Sequence, residues 1–369
     1  MADKTPLYDS HVERGGRMVE FAGYMMPVTF EGIVAEHERV RTRVGLFDVS
    51  HMGEVEIAGP DAVRFADHAV TNSVADLEDG QICYTVCCNG KGGVLDDLLV
   101  YRYSAERVLL VVNAVNTGKI FSHLREMSEG DVRIGDLTGG IGQIAVQGPA
   151  SRDLLASDPF FARVADRIRD LPYYRFFSFE ADGSEVTVSR TGYTGELGFE
   201  VYLPADMTRA VWEGLLDRGG EFGAEPIGLG ARDTLRFEPA YCLYGHELDE
   251  ETSPLEAGLS WVVKLKKGEF VGREALAAEK ERKPARKLIG LELVGRGIPR
   301  QGFPVRLGGE EVGRVTSGTF SPTLARPLAM ALVERAVPKY AEDITIDIRG
   351  RDTEAKKVPL PFYKGGVND

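Results

Sequence analysis

Two adjacent carboxylates, Asp96 and Asp97, lie in the segment GGVLDDLLV, which otherwise has the apolar composition of a buried strand. An ionised acid is costly to bury unless it is paired or neutralised, so two acids in one strand suggest a chemical task. Successive strand side chains point to opposite faces of a sheet, so the two acids cannot share one pocket. We therefore expect one of them to carry out chemistry and the other to face elsewhere.

The turn before these acids favours Asp97 as the chemical one. The preceding run NGKGG predicts a tight hairpin. If Gly90 and Lys91 form a two-residue loop, counting outward along both strands places Tyr84 opposite Asp97 on one face. A one-residue change in the loop would pair Asp97 with Thr85 instead. The alternative interpretation is that both acids only accept hydrogen bonds from the backbone of the glycine turn.

Two further segments place charged groups in apolar surroundings. Glu200 lies inside the strand pattern GFEVYL. It needs a donor such as an arginine or the N–H edge of a ligand, unless its face is exposed to water. Arg232 and Arg236 lie four residues apart on a predicted helix over residues 231–238, and so share a helix face. Either could bind a carboxylate through two hydrogen bonds or pair with an internal acid.

Other classes of catalytic site lack their sequence signatures. Ser50 and His51 are adjacent, but the chain has no GxSxG elbow, and neighbouring residues cannot form a hydrolase triad. The six histidines show neither HxxxH nor HxH spacing, so we expect no catalytic metal. No GxGxxG follows a strand and no Walker sequence occurs, which argues against a nucleotide cofactor.

Length and charge set the broad class. A chain of 369 residues is too long for one ordinary core and predicts two or three domains. A net charge of -13 argues against nucleic acid and anionic membranes as partners. The four cysteines form no CxxC pair, and no apolar run is long enough to span a membrane. We expect a cytoplasmic protein, or a mitochondrial matrix protein from which a transit peptide has been removed.

The hydrophobic patterns predict an α+β fold. Short strand-like runs recur between turn residues without strict strand–helix alternation, which favours mostly antiparallel sheets. The apolar spacing predicts helices over residues 36–47, 61–70, 114–127 and 206–220. A charged stretch running into Pro284 predicts a linker near residues 278–286, followed by a small all-β domain.

Taken together, these segments resemble the aminomethyltransferase, or T-protein, family of the glycine cleavage system over essentially the whole chain. The stretches that carry the resemblance are TPLYDSHVERGGRMVEFAGYMMPV, VRTRVGLFDVSHMGE, NGKGGVLDDLLVY, VNAVN, AVQGPAS, SRTGYTGELGFE, GLGARDTLRFE, LYGHELDEETSP and VTSGTFSPTL. The resemblance implies a three-domain cloverleaf around a central channel that holds tetrahydrofolate. Its domains would comprise residues 1–50 with 140–240, residues 51–139 with 241–280, and a β-barrel-like domain over residues 286–369.

The resemblance also implies a reaction and its residues. The methylene of the aminomethyl group on lipoylated H-protein would pass to tetrahydrofolate as co-substrate, with release of ammonia. Matching the family motifs places the essential acid at Asp97. The implied folate contacts are Met52, Tyr84, Asn113, Tyr193, Glu200, Arg232 and Tyr241.

Competing functions differ in the donor or in the class of protein. The strongest alternative is a tetrahydrofolate-dependent demethylase on the same fold, acting on a small methylated sulfonium, ether or amine. The motifs are more similar to T-protein, and we expect no attached flavin domain. The related iron–sulfur maintenance proteins carry a KGCYxGQ-type loop, whereas LYGHELDEETSP has no cysteine there. A purely structural binding module is disfavoured by the polar residues within apolar strands.

Overall fold

The computed structural model describes residues 2–367. Residue 1 and residues 368–369, at the two ends of the predicted domains, lie outside this range. The helices are α1 (Tyr8–Glu13), α2 (Ile33–Thr42), α3 (Ala62–Ala69), α4 (Thr117–Glu126), α5 (Ser151–Ser157), α6 (Ala165–Asp170), α7 (Ala205–Arg218), α8 (Leu229–Phe237) and α9 (Arg273–Arg282). The strands are β1 (Asp3–Lys4), β2 (Arg17–Phe21), β3 (Tyr24–Thr29), β4 (Val44–Asp48), β5 (Gly53–Ala58), β6 (Gln81–Cys88), β7 (Val94–Ser104), β8 (Arg107–Val112), β9 (Arg133–Asp136), β10 (Ile141–Gln147), β11 (Phe176–Ala181), β12 (Ser184–Ser189), β13 (Gly198–Pro204), β14 (Ala224–Pro226), β15 (Arg286–Leu293), β16 (Pro304–Leu307), β17 (Glu310–Ser321), β18 (Arg326–Glu334), β19 (Ile344–Asp347) and β20 (Asp352–Val358).

The strands form mostly antiparallel sheets, which confirms the predicted α+β class. A six-stranded sheet has the order β11-β12-β13-β10-β4-β14, and a five-stranded sheet has the order β6-β7-β8-β5-β9. Strands β15 to β20 close into a small barrel, and β1, β3 and β2 form a short sheet near the start of the chain. Only β1–β3 and β4–β14 pair in parallel among the strands described.

Each of the two open sheets buries one face beneath helices. Helices α5, α6 and α7 cover the six-stranded sheet, with Trp212 fully buried among them. Helices α3 and α4 cover the five-stranded sheet through Phe65, Ile120 and Leu124. The uncovered faces meet in an aromatic cluster that includes Tyr101 and Tyr202. This arrangement brings strands from both sheets against one another, and the cavity described below lies at this junction.

Two predicted elements differ from the structure in their extent. The helix expected over residues 36–47 ends at Thr42, and residues 44–48 form β4. All five residues of β4 are buried, and a short buried apolar run fits a helix or a strand equally well until its partners are known. Pairing with β10 and β14 makes it a strand.

The linker predicted near residues 278–286 is shorter than expected. Helix α9 continues to Arg282, because its Ala, Leu, Glu, Lys and Arg residues all favour helix. The next residue, Lys283, has a φ of +68° and precedes Pro284, so the helix stops at Arg282, and β15 begins at Arg286. The predicted domain boundaries themselves stay a prediction. Within residues 2–367, no helix is both long enough and apolar enough to cross a bilayer.

Candidate active site

The β6–β7 hairpin has a different pairing from the one that the sequence predicts. Val86 lies opposite Asp97, so both predicted partners, Tyr84 and Thr85, are wrong. The loop contains three residues rather than two, and β7 carries a one-residue bulge directly after it. The longer loop and the bulge each move the register of β7 against β6 by one residue, so the register differs from the predicted one by two residues.

A shift of two residues leaves the predicted face unchanged, because side chains alternate between faces with a period of two. Tyr84 and Asp97 therefore still share a face, as diagonal rather than direct neighbours. The hydroxyl of Tyr84 donates to Oδ2 of Asp97 at 2.9 Å. The predicted pairing was wrong in detail, but the contact that it implied is present.

The two acids share the side-chain amide of Asn113, which donates to Asp96 at 2.8 Å, and differ in their other partners. Asp97 also accepts from the Nδ2 group of Asn113 at 3.0 Å. Asp96 is fully buried and accepts from the backbone N–H of Asn113 at 2.9 Å and from the Nδ2 group of Asn116 at 2.5 Å. Asp96 therefore fixes the start of the segment after β8. Its partners are a backbone group and amides, with no basic side chain.

Asn89 satisfies the turn, so neither acid is needed there. Its Oδ1 accepts from the backbone N–H groups of Lys91 at 2.9 Å and Gly93 at 3.1 Å. The interpretation of Asp96 and Asp97 as caps of the glycine turn is therefore wrong.

Burial changes the proton affinity of both acids. Desolvation raises the pKa of Asp97, and the hydrogen bonds from Tyr84 and Asn113 oppose this by stabilising the carboxylate. Desolvation also raises the pKa of Asp96, and the neighbouring charge of Asp97 raises it further. The pair therefore binds a proton more readily than an exposed aspartate does.

Glu200 lies on β13, in the sheet opposite Asp97. It accepts from the hydroxyl of Thr191 at 2.5 Å and from that of Tyr202 at 3.4 Å. Its side chain is enclosed, so the interpretation of Glu200 as a water-facing residue is wrong. Desolvation raises its pKa, while the Thr191 hydrogen bond and the positive charge of Arg232 act in the opposite direction.

The two arginines of α8 divide the roles that the sequence left open. Arg236 pairs with Asp233 and Glu247. The guanidinium of Arg232 lies 4.8 Å from the ring centre of Tyr193, and no acid in residues 2–367 accepts a hydrogen bond from it. The predicted alternative of pairing with an internal acid is therefore correct for Arg236 and wrong for Arg232. Desolvation lowers the pKa of Arg232.

One cavity of about 870 Å³ collects all of the predicted site residues. This volume lies within the range of small-molecule sites. The five-stranded sheet forms one wall and the six-stranded sheet forms the other, with α8 and loops at the sides and Leu288, Leu360 and Pro361 at the barrel end. The predicted residues in its lining are Met52, Tyr84, Asp97, Asn113, Tyr193, Glu200, Arg232 and Tyr241.

Two stacked aromatic pairs flank the cavity. Tyr193 and Tyr241 have ring centres 5.8 Å apart with planes inclined by 25°. Tyr84 and Trp261 have ring centres 5.8 Å apart with planes inclined by 27°. Offset stacking of this kind holds each ring at a fixed angle. The cavity therefore presents two rigid aromatic surfaces to a planar ligand.

Sequence reasoning missed four polar or aromatic residues of the site. Thr191 and Gln143 line the cavity, Trp261 forms part of its rim, and Tyr202 lies directly behind Glu200. The only sequence signal for Tyr202 was its position two residues after Glu200, on the same strand face. Along the chain, most strands of the two sheets lie between Tyr84 and Trp261, so no local sequence pattern links these two residues.

Family comparisons agree with this architecture. The GCVT N-terminal domain family matches residues 7–267. The glycine cleavage T-protein C-terminal barrel domain family matches residues 286–364. The chain belongs to the glycine cleavage T-protein family. Membership of this family confirms the resemblance seen in the motifs and identifies the chain as a transferase.

Individual relatives of the family extend over the full chain. Aminomethyltransferases from Desulfitobacterium hafniense and Pseudothermotoga lettingae are 46% and 47% identical, covering 98% and 99% of both chains. One from Rubrobacter xylanophilus is 50% identical over 99% of this chain and 95% of its own. The crystal structure of the glycine cleavage system aminomethyltransferase T from Bartonella henselae matches with a TM-score of 0.91 at 32% identity, covering 100% of both chains.

The described part of the chain contains no cluster of side chains with the composition of a metal site. No group of three or more His, Cys, Asp or Glu side chains in residues 2–367 could hold an ion. The four cysteines are free and buried, and Cys83 and Cys242 contribute to the cavity wall.

Proposed function

We propose that the chain is the aminomethyltransferase of a glycine cleavage system. Its donor is the aminomethyl group on the lipoyl arm of H-protein, and its acceptor is tetrahydrofolate. The products are 5,10-methylenetetrahydrofolate, ammonia and dihydrolipoyl H-protein. As predicted from the sequence, we propose a cytoplasmic enzyme that needs neither a metal nor a nucleotide cofactor.

A single observation carries the proposal: Asp97, which is half-buried, and Glu200, which is buried, lie on opposite walls and line one cavity of about 870 Å³. A cavity of this size and mixed lining suits a folate, which has a planar polar ring at one end and an aromatic linker beyond it. The stacked pair of Tyr193 and Tyr241 offers a surface for such a planar group.

Glu200 and Arg232 suit the recognition of the pterin ring. The ring has N–H donors along one edge, and a carboxylate that is already fixed by Thr191 can accept them. Arg232 has no acid partner in the described chain, so its donors are available for a ligand acceptor. Met52, Tyr193 and Tyr241 complete the proposed folate contacts.

Asp97 suits the transfer step. As N5 of the folate attacks the methylene carbon, the bond from that carbon to the protonated amino group breaks and ammonia leaves, while N5 loses a proton that a nearby carboxylate of raised pKa can accept. N10 then displaces the lipoyl sulfur from the same carbon, and the N10 proton goes to the sulfur. Tyr84 and Asn113 hold the carboxylate in one orientation, which keeps it aligned with the reacting nitrogen. Asp96 supports this arrangement through Asn113 and does not touch the substrate.

The test is an assay of the purified enzyme with aminomethyl-loaded H-protein and tetrahydrofolate. We expect equal amounts of ammonia and methylenetetrahydrofolate, and no product with H-protein that lacks the lipoyl group. Small methylated sulfoniums, ethers and amines serve as alternative donors in parallel. Product from one of these donors, without product from loaded H-protein, would overturn the proposal in favour of a folate-dependent demethylase.

A further inference from the structure

Glu54, on β5, is a fully buried acid outside the proposed catalytic set. Neither of its carboxyl oxygens has a hydrogen-bond partner in the described chain. A buried carboxyl group without partners is costly, and native structures nearly always satisfy such groups with protein or with ordered water. Glu54 therefore requires a partner that the protein's own groups do not supply.

The pairing of the strands shows which way Glu54 faces. Cross-strand neighbours form a row through the five-stranded sheet, from Tyr84 on β6 to Leu99, Val111 and finally Glu54 on β5. Residues directly opposite one another in an antiparallel pair project from the same face. Tyr84, Leu99 and Val111 line the cavity, so Glu54 continues this row behind the cavity wall.

The opposite sheet presents a second unsatisfied oxygen beside Tyr202, a residue that lies within the electrostatic field of Glu54. Tyr202 and Gln143 are cross-strand partners, and Nε2 of Gln143 donates to the Tyr202 hydroxyl at 3.0 Å. Oε1 of Gln143 is buried and has no partner among the described residues. Tyr202 in turn donates to Glu200 at 3.4 Å and contacts the Tyr101 hydroxyl at 2.8 Å. Hydrogen bonds thus run unbroken from Gln143 to Glu200.

We propose that buried water joins the carboxyl group of Glu54 to Oε1 of Gln143, making Glu54 a positioning residue for Glu200. Water supplies two donors, and a protonated carboxyl group supplies one donor and one acceptor. Together they satisfy the three orphaned oxygens of Glu54 and Gln143. The connection runs from Glu54 through water, Gln143 and Tyr202 to the acid that is proposed to bind the pterin, so it rests on the proposed function.

The connection requires Glu54 to be neutral. Desolvation raises the pKa of Glu54, and the negative charge of Asp136 raises it further. Tyr24, Asp136 and Tyr202 are the titratable groups that face it from β3, β9 and β13. As the pH rises through the raised pKa, Glu54 loses its donor and places a negative charge near Tyr202. We therefore expect the affinity for tetrahydrofolate to fall on the alkaline side.

Tetrahydrofolate affinity can be followed through tryptophan fluorescence. The chain has two tryptophans, and only Trp261 lines the cavity, whereas Trp212 lies on α7 and is buried in the core between α7 and the six-stranded sheet. We expect Glu54→Leu and Gln143→Leu each to raise the Kd about fivefold to tenfold, the equivalent of one lost hydrogen bond. Because both substitutions break one connection, the double variant should bind no more weakly than the weaker single variant.

Glu54→Gln separates a positioning role from a merely structural one. This neutral variant keeps the size and hydrogen-bonding capacity of Glu54 and cannot ionise. We expect it to bind tetrahydrofolate like the wild type near neutral pH and to lose the alkaline fall in affinity. Glu56→Gln is the matched control, since Glu56 lies on the same strand face but pairs with Arg107, and it should keep the wild-type pH profile.

Three results would overturn the inference. The first is a Glu54→Gln variant whose affinity for tetrahydrofolate still falls at alkaline pH as in the wild type. This result is informative even if Glu54→Leu fails to fold. The second is a double variant in which the losses of tetrahydrofolate binding free energy caused by Glu54→Leu and by Gln143→Leu add up fully. The third is a high-resolution crystal structure without water between these two side chains. Wild-type protein that binds no tetrahydrofolate would instead contradict the proposed function, and the crystallographic test of the water would still stand.

Discussion

The two walls of the cavity each contribute an acid to its lining, but the two acids have different electrostatic surroundings. Asp97, on the five-stranded sheet, has a second carboxyl group beside it in the chain, and its donors are the neutral groups of Tyr84 and Asn113. Glu200, on the six-stranded sheet, lies within the field of the Arg232 guanidinium. Burial raises the pKa of both acids, yet only Glu200 has a cation that opposes this effect.

This difference indicates a division of labour. An acid without a nearby cation gains a proton at little cost, which suits a group that must accept one during a reaction. A nearby cation makes an acid give up its charge less readily, which suits a group that must bind the N–H donors of a ligand. The wall of Asp97 is therefore suited to chemistry and the wall of Glu200 to recognition. Each variant below tests one side of this comparison.

Replacement of Asp97 should have the largest effect. In Asp97→Asn, the amide fits the same space but accepts no proton, so we expect kcat to fall by about 10²-fold to 10⁴-fold. The Kd for tetrahydrofolate should change little, because the recognition wall is intact. The measurement combines turnover with loaded H-protein and fluorescence titration. Full activity in Asp97→Asn together with lost activity in Asp96→Asn would reverse the assignment of the two acids.

Replacement of Glu200 should produce the opposite pattern. Glu200→Gln keeps the side-chain volume but loses the charge that strengthens the hydrogen bonds to the ligand, so we expect the Kd for tetrahydrofolate to rise about tenfold to a hundredfold. At saturating tetrahydrofolate, kcat should stay within about threefold of the wild-type value. A loss of kcat with unchanged Kd would remove the distinction between the walls.

The hairpin illustrates how far the sequence can predict the site. Side-chain alternation is a local property, so the sequence sufficed to separate Asp96 from Asp97 and to put Tyr84 on the face of Asp97. Loop length and the bulge depend on packing against later segments. Gly93, for example, lies so close to the carbonyl of Glu250 that a side chain would not fit. The predicted pairing was therefore wrong by two residues, while the predicted face was correct.

The recognition wall was harder to predict because its partners are distant in the chain. Arg232 comes near Glu200 only when α8 packs beside the six-stranded sheet, and Trp261 reaches Tyr84 from a loop beyond it. The sequence identified Glu200 as an acid in need of a donor. It could not identify Thr191 and Tyr202 as the donors, because hydroxyl groups in β-rich segments are common and carry no distinctive spacing.

Asp96 should affect stability more than chemistry. In Asp96→Ala, the backbone N–H of Asn113 and the amide of Asn116 lose their buried acceptor, so we expect the free energy of unfolding to fall by about 1–3 kcal/mol. Urea denaturation monitored by circular dichroism provides the measurement. Asp166→Ala is the control, since Asp166 is almost fully exposed and should change stability by less than about 0.5 kcal/mol. Equal stability of the two variants would contradict a structural role for Asp96.

Tyr84→Phe should produce the smallest effect, a displacement of the pH profile. The Tyr84 hydroxyl stabilises the ionised form of Asp97 and so lowers a pKa that burial has raised. Its removal should raise that pKa again, so the acidic limb of the kcat profile should move to higher pH by about half to one pH unit, the equivalent of one hydrogen bond. Well above this limb Asp97 is ionised in both proteins, and kcat should differ little.

The direction of this displacement tests the role of the Asp97 wall. If Asp97 accepts a proton, activity requires its ionised form, and a raised pKa removes activity on the acid side only. Tyr103→Phe is the matched control, because the Tyr103 hydroxyl bonds to Thr187 outside the cavity and should leave the profile unchanged. If activity instead falls as the pH rises, and this alkaline limb moves to higher pH in Tyr84→Phe, Asp97 acts in its protonated form. The wall of Asp97 would then donate protons rather than accept them.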